Sequence, residues 1–415
     1  MKTAIIGTGI SGLGAAYLLH PFHDITLYEK NDYIGGHTRT IDIPTGHKKT
    51  SVDTGFIVFN NRNYPNLMGL FNHLKVPYQK SDMSFGVSID HGWLEYGSGG
   101  MFAQKKNWFR PAFYGMLADI LRFNQKAEHC LASDADMTLS DFLDQLGMGN
   151  WFRRYYLLAM GAAIWSCPIA TVMQFPARTF VQFFKNHGLL SIHHRPQWYT
   201  VTGGSRAYVV RLINSFQEKI RINCAVKKVM RHGAKVSVLD SEGQTEIFDQ
   251  VVFACHADEA LQMIDNPTEH ERSVLGNYKY QNNQIIVHGD TSFMPRIKQC
   301  WSSWVYLSEE QEDSKNVVAL SYWMNRLQNL DPEYPVIVTL NPGRRPREDL
   351  ILDEHRFSHP VFDLQAVRAQ DKMQDIQGKN KLWFCGAYQR YGFHEDGLLS
   401  AVNVAQAMGA EIPWQ

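Results

Sequence analysis

The sequence predicts an α/β protein in which a domain built on a parallel sheet is interleaved with a second, α+β domain. Three observations predict this class. A short apolar strand runs into a glycine-rich turn and an apolar helix at the start of the chain, "AIIGTGISGLGAAYLL" (4–19). A second short strand then ends on an acidic residue. Segments of similar character recur in the middle and near the end of the chain, separated by aromatic-rich stretches.

The first turn carries the glycines of a dinucleotide site, Gly7, Gly9 and Gly12. Glycine lets the backbone turn tightly and approach a phosphate group closely. The helix that begins near Ser11 offers unpaired N–H groups and the positive end of its dipole to a diphosphate. Tight packing of the helix on the strand is the alternative explanation, and it accounts for Gly12 or Gly14.

That alternative does not account for the acidic residue at the end of the second strand. The strand "DITLYEK" (24–30) ends at Glu29, which lies 17 residues after Gly12. A carboxylate at this place in a βαβ unit can accept hydrogen bonds from ribose hydroxyls. The ordered strand, turn, helix, strand and acid therefore predict dinucleotide binding more specifically than the glycines alone.

The next segment, "EKNDYIGGHTRT" (29–40), adds a second glycine pair. It resembles the flavin-containing amine oxidase superfamily, which includes protoporphyrinogen oxidases and phytoene desaturases, and especially its uncharacterised bacterial NAD/FAD-binding members. The resemblance implies FAD as cofactor and a Rossmann-like, GR2-type FAD-binding domain, with Lys30 and Gly36 at the cofactor. The superfamily has Gly-Gly-Arg here; this chain has His37 in the third position, and Arg39 is expected to supply the charge.

Two further segments extend the resemblance. "SVDTGFIVFN" (51–60) implies that Gly55 and Phe56 lie beside the flavin ring. "TVTGGSRAYVVRL" (200–212) resembles the Gly-Gly turn that leads back to the nucleotide domain. Strands separated by turns at Gly233 and Gly243 are predicted to follow. The position of Val226 is expected to contact adenine through its backbone.

The last matching segment is "KLWFCGAYQRYGFHEDGLLSAVNVAQAM" (381–408). The resemblance implies that Gly386, Gly397 and Leu398 lie where a loop and a helix N-terminus cover the flavin. That N-terminus is expected to meet an anion.

The resemblance also implies two catalytic candidates in this loop. The aromatic residue that flanks the flavin in amine oxidases matches His394, whose imidazole titrates near neutral pH and can act as an acid or a base. The structural alternative is that His394 caps the helix or pairs with Glu395 or Asp396. Tyr391 shares the loop and is the second candidate.

The resemblance divides the chain into two discontinuous domains. Residues 1–70, 198–260 and 375–415 are predicted to form the FAD-binding domain, and 71–197 and 261–374 the α+β substrate domain. Six aromatic residues are expected to line an apolar pocket: Trp165, Phe180, Phe184, Trp301, Trp304 and Tyr322. Many amine oxidases have a lysine near the flavin on a strand matched here by "NNQIIVHGD" (282–290). Gln284 takes its place, which argues against a typical amine oxidase.

These features favour an enzyme, an FAD-dependent oxidoreductase with desaturase-like chemistry on a lipophilic substrate, an acyl chain or an isoprenoid. Hydride would pass to the flavin N5, and the electron acceptor stays unidentified. Three alternatives stay open: a non-redox flavin-dependent isomerase of a lipophilic substrate, an amine oxidase, and a flavin-binding protein without turnover.

Composition narrows the partners. Lys+Arg and Asp+Glu number 41 each, so the net charge is zero and gives no reason to expect nucleic acid. The six cysteines are scattered, which predicts neither a metal site nor a disulfide framework and favours the cytoplasm. Peripheral contact with a membrane surface is a further expectation. The uncharged stretch 155–175 contains Pro168, which predicts a buried helix and a loop rather than a membrane span.

Overall fold

The structure is a computed structural model that describes residues 1–132, 137–165, 172–191, 196–309 and 317–415. Its first sheet has five strands, and every neighbouring pair is parallel. Across the sheet the order is Ile220–Arg221, Asp24–Tyr28, Lys2–Ile6, Gln250–Phe253 and Leu382–Phe384. The first strand of the chain is therefore central, and the predicted α/β, Rossmann-like class is confirmed.

Four helices pack together beside this nucleotide sheet: Ile10–Leu19, Pro65–His73, Arg206–Ile213 and His394–Ala407. Ile10–Leu19 is buried along almost its whole length, which explains why its sequence is apolar on every side. It crosses His394–Ala407 closely, because a Cβ atom on Gly14 would lie 2.7 Å from Leu398 Cδ1. Gly14 is thus a packing glycine.

Three small sheets adjoin the nucleotide sheet. One is antiparallel, with Val226–His232, Lys235–Asp240 and Thr245–Phe248. Gly233 and Gly243 form its turns with φ of +60° and +82°, as the sequence predicts. The second is the hairpin Thr40–Thr45 and Lys48–Asp53. The third contains Phe59–Asn60, Trp198–Val201 and Tyr78–Ser81.

A seven-stranded sheet dominates the other half of the molecule. Its neighbouring pairs are antiparallel, except that Trp304–Glu309 runs parallel to Phe85–Ile89. The order is Ile351–Val361, Lys279–His288, Ile337–Leu340, Val317–Trp323, Trp304–Glu309, Phe85–Ile89 and Leu94–Gly97. All seven strands fall within the ranges predicted for the substrate domain, whose boundaries stay a prediction.

The remaining α-helices are short, apart from the first: Pro111–Lys126, Leu139–Gln145, Asn150–Phe152, Leu158–Trp165, Ala177–Asn186, Ala257–Met263, Glu269–Leu275, Met324–Leu327 and Leu364–Asp371. Leu158–Trp165 forms the first half of the uncharged stretch and is buried in the core. Pro168 lies outside the described residues. Among the residues described, no helix is both long and apolar enough to cross a bilayer.

The predicted group of six aromatic residues is divided in the structure. Trp165, Phe180, Phe184 and Tyr322 are buried in the largest core cluster, and Trp304 packs against it. Trp301 instead contacts Trp323 in a separate small cluster, with ring centroids 5.2 Å apart. The expectation that Trp301 shares one pocket with the other five is therefore wrong.

Candidate active site

The first glycine turn has the geometry that a phosphate site requires. Gly7 has a φ of +105°, and a Cβ atom on Gly12 would lie 1.9 Å from the Gly7 carbonyl oxygen. A Cβ atom on Gly9 meets no heavy atom within 4 Å in the described part of the chain. Gly12 therefore closes the turn by packing, while Gly9 borders open space.

The helix that starts at this turn has an open N-terminus. Gly9 is its N-cap, the first turn contains no acidic residue, and no side chain of the described residues caps it. The N–H groups of residues 10–12, with Ser11 among them, therefore have no intrahelical acceptor. Such an end favours an anion.

Glu29 lies buried beside this turn. Its carboxylate accepts hydrogen bonds from the Thr8 backbone N–H, at 3.1 Å, and from the Thr8 hydroxyl. It also accepts from the backbone N–H and the side-chain amide of Asn31, both at 2.9 Å. Because a carboxylate has about four acceptor positions, a ribose hydroxyl would displace one of these donors.

The residues around Val226 run alongside Glu29. Cys224 N–H donates to the Glu29 carbonyl, and Val226 opens the next strand, half-buried. Gly386 follows the last strand of the nucleotide sheet, where a Cβ atom would meet the Tyr388 ring at 2.3 Å. The structure therefore places Val226 near the ribose end of the predicted site, and Gly386 in a packed turn.

The second glycine pair lies against the first turn. A Cβ atom on Gly36 would be 3.0 Å from Gly9 Cα, so the two loops are in contact. The two basic side chains predicted to lie at the cofactor form ion pairs with carboxylates instead. Arg39 forms a two-bonded ion pair with Asp353, at 2.7 and 3.1 Å, and Lys30 pairs with Glu259 at 2.5 Å. The structure thus differs from the expectation that Arg39 replaces the missing family arginine.

An imidazole cluster, which we define as His37, His256 and His359, occupies that region instead. The ring centroids of His37 lie 5.2 Å from those of His359 and 6.4 Å from those of His256. His37 stacks on Phe357 at 4.4 Å, and His256 on Tyr280 at 4.1 Å.

Burial keeps the imidazole cluster uncharged. Burial lowers the pKa of His359 to about 4 and that of His37 well below its usual value, and the neighbouring imidazoles lower both further. The Nε2 atom of His37 is buried and has no hydrogen-bond partner among the described residues. The cluster therefore holds one polar atom available to a ligand.

His394 packs against the segment 51–60, which is predicted to lie beside the flavin ring. Its ring stacks on Phe56 with centroids 3.8 Å apart and planes at 9°. Its Nε2 atom shares hydrogen bonds with the hydroxyls of Tyr208, at 2.7 Å, and Thr38, at 3.1 Å. Burial lowers its pKa to about 3, so the imidazole is neutral at pH 7. The structural alternative for His394, pairing with Glu395 or Asp396, is not what the structure shows.

Those two carboxylates have other partners. Asp396 accepts the backbone N–H groups of Phe393 and Tyr391, which precede His394–Ala407. Glu395 reaches across to cap Pro65–His73. Burial raises the pKa of Asp396 to about 6 and also raises that of Glu395. With both carboxyl groups in its first turn, this helix end is less favourable for an outside anion than the end at Gly9, and the expectation that an anion binds here stays a prediction.

Gly397 and Leu398 have packing roles. A Cβ atom on Gly397 would lie 2.9 Å from both Ile10 Cγ2 and Ser11 Oγ, so the first turns of the two helices touch. Leu398 is fully buried against Gly14. Gly55 is likewise required by a close approach, since a Cβ atom there would lie 2.2 Å from the His37 carbonyl oxygen.

An aromatic shell, which we define as Trp165, Phe183, His187, Tyr391 and Phe393, continues from His394 into the substrate half. Phe183 is its centre, with centroids 3.8 Å from His187, 4.7 Å from Trp165 and 5.1 Å from Phe393. Tyr391 lies 5.9 Å from Phe183. Burial lowers the pKa of His187 to about 4.

On the strand Lys279–His288, the buried polar residue beside the main core lies one position before the predicted Gln284. Asn283, not Gln284, is fully buried on the same face as Ile285 and Val287, which belong to the main core. Asn283 bonds His359 Nδ1 at 2.8 Å and accepts from Asn341 at 2.7 Å. The polar side chain that this strand directs inward is therefore Asn283.

Sequence reasoning missed several residues of the site. Asp53 is fully buried, accepts from Ser205 and Gln328, and so joins the two halves. His359 could have been found, because His355, Phe357 and His359 alternate along Ile351–Val361 and share one face. Tyr208, Thr38, His256 and Asn283 carried no comparable signal.

The fold and this site define an α/β dinucleotide-binding protein in which the aromatic shell forms a second, apolar region. The chain belongs to the flavin containing amine oxidoreductase family, whose pattern matches residues 10–409. The suspected superfamily and the flavin cofactor are thereby confirmed.

A sequence relative comes from Mycobacterium tuberculosis, a protein provisionally named flavin-containing monoamine oxidase AofH. It is 23% identical over 296 residues, which cover 67% of this chain and 62% of that protein. The chain thus spans less than two thirds of the length of this relative.

Solved structures share the fold. A fatty acid isomerase from P. acnes that produces CLA has a TM-score of 0.70 at 16% identity, covering 98% of both chains. Cyclohexylamine oxidase from Brevibacterium oxydans also has a TM-score of 0.70, at 15% identity, covering 98% of this chain and 99% of the other. At these identities the likeness concerns the fold alone.

Proposed function

We propose that this chain is an FAD-dependent oxidoreductase that oxidises a lipophilic substrate, an acyl chain or an isoprenoid. The observation that carries the proposal is the buried, aromatic surrounding of His394. The aromatic shell includes Phe393, the residue before it, and both His187 and His394 have a pKa lowered by burial, to about 4 and about 3. Neutral aromatic surroundings suit an apolar substrate.

The residues present fit FAD. The open N-terminus at Gly9 suits the diphosphate, Glu29 suits the ribose, and the buried Nε2 of His37 offers a neutral hydrogen-bonding atom where the family has an arginine. Bound FAD supplies the hydride acceptor, at N5. His394 and Phe56 would lie toward its reactive end, where the neutral imidazole could accept a proton from the substrate.

Two observations favour a lipophilic substrate over an amine. The carboxylates nearest His394, Glu395 and Asp396, are engaged by backbone N–H groups and have raised pKa values, so they offer little to an ammonium group. The inward polar residue of the neighbouring strand is Asn283, an amide rather than a lysine. An amine remains the first alternative substrate, and isomerisation without net oxidation the second.

Anaerobic titration tests the substrate class. The FAD-loaded protein is mixed with fatty acids, phospholipids, isoprenoids and primary amines while flavin absorbance is followed. Stoichiometric bleaching by a lipid with formation of an unsaturated product supports the proposal. Bleaching by amines alone, or a rearranged lipid product formed without an acceptor, contradicts it.

His394→Ala tests the role of the imidazole. Loss of a positioned acid–base group lowers a rate by a factor of about 10²–10⁴, so flavin reduction should slow by that amount while FAD content is retained. His288→Gln is the matched control, since His288 is buried with a pKa near 4 but bonds Thr339 on the seven-stranded sheet. Unchanged reduction in His394→Ala removes His394 from the chemistry.

A further inference from the structure

The exposed apolar side chains of this protein are concentrated in one segment. Of the eleven large apolar side chains that are exposed among the described residues, five lie between positions 93 and 121. They include Trp108, which is 56% exposed, and Phe109, which is 87% exposed; the others are Trp93, Tyr114 and Leu121. Scattered single residues would need no explanation, but a contiguous group marks an interaction surface.

Contacts join two of these residues, Trp108 and Tyr114, through Phe102. Phe102 packs against Trp108, with centroids 4.5 Å apart, and against Tyr114 at 5.8 Å. The Tyr114 hydroxyl donates to the Trp108 carbonyl at 3.1 Å. Leu121 lies seven residues after Tyr114 in the helix Pro111–Lys126, so both are on the same side of that helix.

Basic side chains surround the aromatic ones. Lys105 and Lys106 are exposed and precede Trp108 and Phe109, with the buried Asn107 between the two pairs, and neither lysine forms an ion pair with a carboxylate of the described residues. The Arg110 guanidinium lies 4.8 Å from the Trp93 ring, at the edge of the surface. We call Trp93, Lys105, Lys106, Trp108, Phe109, Arg110, Tyr114 and Leu121 the aromatic–basic patch.

We propose that the aromatic–basic patch docks this protein on the surface of an anionic lipid bilayer. Aromatic rings prefer the headgroup region, and basic side chains are attracted to anionic lipids. A protein partner fits less well, because protein interfaces are depleted in lysine, whereas Lys105 and Lys106, which have no ion pair among the described residues, lie four and three positions before the most exposed ring here. Attachment needs no spanning helix, because an apolar surface and a basic cluster together supply two signals.

The patch is rigidly connected to the core of the protein. Phe102 also contacts the buried Phe113, at 5.5 Å, and Phe113 contacts Tyr96 in the main core. The rings are therefore held outward on a fixed base rather than on a free loop. This inference goes beyond the proposed function, and its test does not depend on turnover.

Vesicle flotation of the full chain tests the patch. Phosphatidylglycerol–phosphatidylcholine vesicles are compared with phosphatidylcholine alone, at low and high salt. We expect flotation with the anionic vesicles that weakens as salt increases. Lys105→Glu with Lys106→Glu should lower the partition coefficient by tenfold or more, and Trp108→Ser with Phe109→Ser by a similar factor.

Matched variants control for charge and exposure. Lys48→Glu with Lys49→Glu changes an equally exposed lysine pair on a distant hairpin, and Phe22→Ser removes a ring that is 62% exposed elsewhere. Both should float like the wild type, and thermal stability and FAD content show that all variants fold. Equal flotation of patch and control variants overturns the proposal, as does a patch variant that changes only the oligomeric state in sedimentation.

Discussion

Two helices touch at their first turns, yet their N-termini carry different groups. Ile10–Leu19 begins at Gly9 with no side chain of the described residues on its free N–H groups and no acidic residue in its first turn. His394–Ala407 begins beside it with Glu395 and Asp396 in its first turn, and Asp396 accepts the N–H groups of the preceding Phe393 and Tyr391. The first end, which we call the open end, leaves a site for an anion from outside. The second end, which we call the acidic end, carries carboxyl groups of its own.

The largest expected effect comes from two glycines at the open end, one of which is required for packing and the other for binding. Gly12→Ala places a Cβ atom 1.9 Å from the Gly7 oxygen, so melting temperature should fall and FAD should be lost. Gly9→Ala has room and a φ of −67°, so it should fold normally but bind FAD more weakly. Thermal unfolding and FAD titration measure both. If Gly9→Ala binds FAD as the wild type does, no ligand approaches this end.

Glu29→Ala tests the carboxylate beside the open end. Hydrogen bonds to a charged group are worth roughly 1.5–3 kcal/mol, so FAD affinity should fall by about ten- to a hundredfold. Some stability should also be lost, because Thr8 and Asn31 lose their acceptor. Glu271→Ala is the control, since Glu271 is equally buried but caps another helix. FAD retention equal in both variants would place the ribose elsewhere.

The pH dependence of stability tests His394 and Asp396, which lie at the acidic end. The unfolded chain protonates His394 below its usual pKa of 6.5, whereas the folded chain protonates it only near 3, so this residue destabilises the fold as pH falls between those values. Asp396 acts in the opposite direction, because its folded pKa of about 6 favours the protonated form.

Replacing His394 should therefore flatten that dependence. Between pH 4 and 6 the unfolded wild type binds a proton at residue 394 that the folded wild type does not bind. His394→Asn abolishes this difference, so the slope of the unfolding free energy against pH should fall by at most about 1.4 kcal/mol per pH unit. Urea unfolding across this range is the measurement, and His129→Asn, an exposed histidine, should match the wild type. An unchanged slope in His394→Asn would mean that the imidazole is charged in the fold.

The smallest expected effect comes from the acidic end. Asp396→Ala removes the acceptor of the Phe393 and Tyr391 N–H groups, which should cost about 1 kcal/mol of unfolding free energy, and FAD should be retained. Asp363→Ala removes the N-cap of Leu364–Asp371 and should cost a similar amount. If Asp396→Ala loses FAD while Asp363→Ala does not, the acidic end contributes to the cofactor site as well.

The sequence predicted the glycines and the acidic residue at the open end, but it did not predict much of what surrounds them. Glycine constraints are local, so Gly7, Gly12 and the buried Glu29 followed from spacing alone. Arg39 was assigned to the cofactor because nothing local reveals Asp353, 314 positions away. The strand residue was missed by one position, and in a strand a shift of one residue moves a side chain to the opposite face.

The imidazole cluster shows the same limit more clearly. Its members come from positions 37, 256 and 359, which only the folded chain brings together. The sequence supplied His37 through the altered Gly-Gly-Arg pattern, and the other two depend on strand pairing that no short segment encodes.

The order of strands in the nucleotide sheet has a consequence for synthesis of the protein. Leu382–Phe384 pairs with Gln250–Phe253, so this edge of the sheet closes only after synthesis has passed residue 384. Until then Gln250–Phe253 presents unpaired backbone groups along one side. Contacts this distant in sequence form slowly. All strands of the seven-stranded sheet, the last of which ends at Val361, are therefore synthesised before the nucleotide sheet receives Leu382–Phe384.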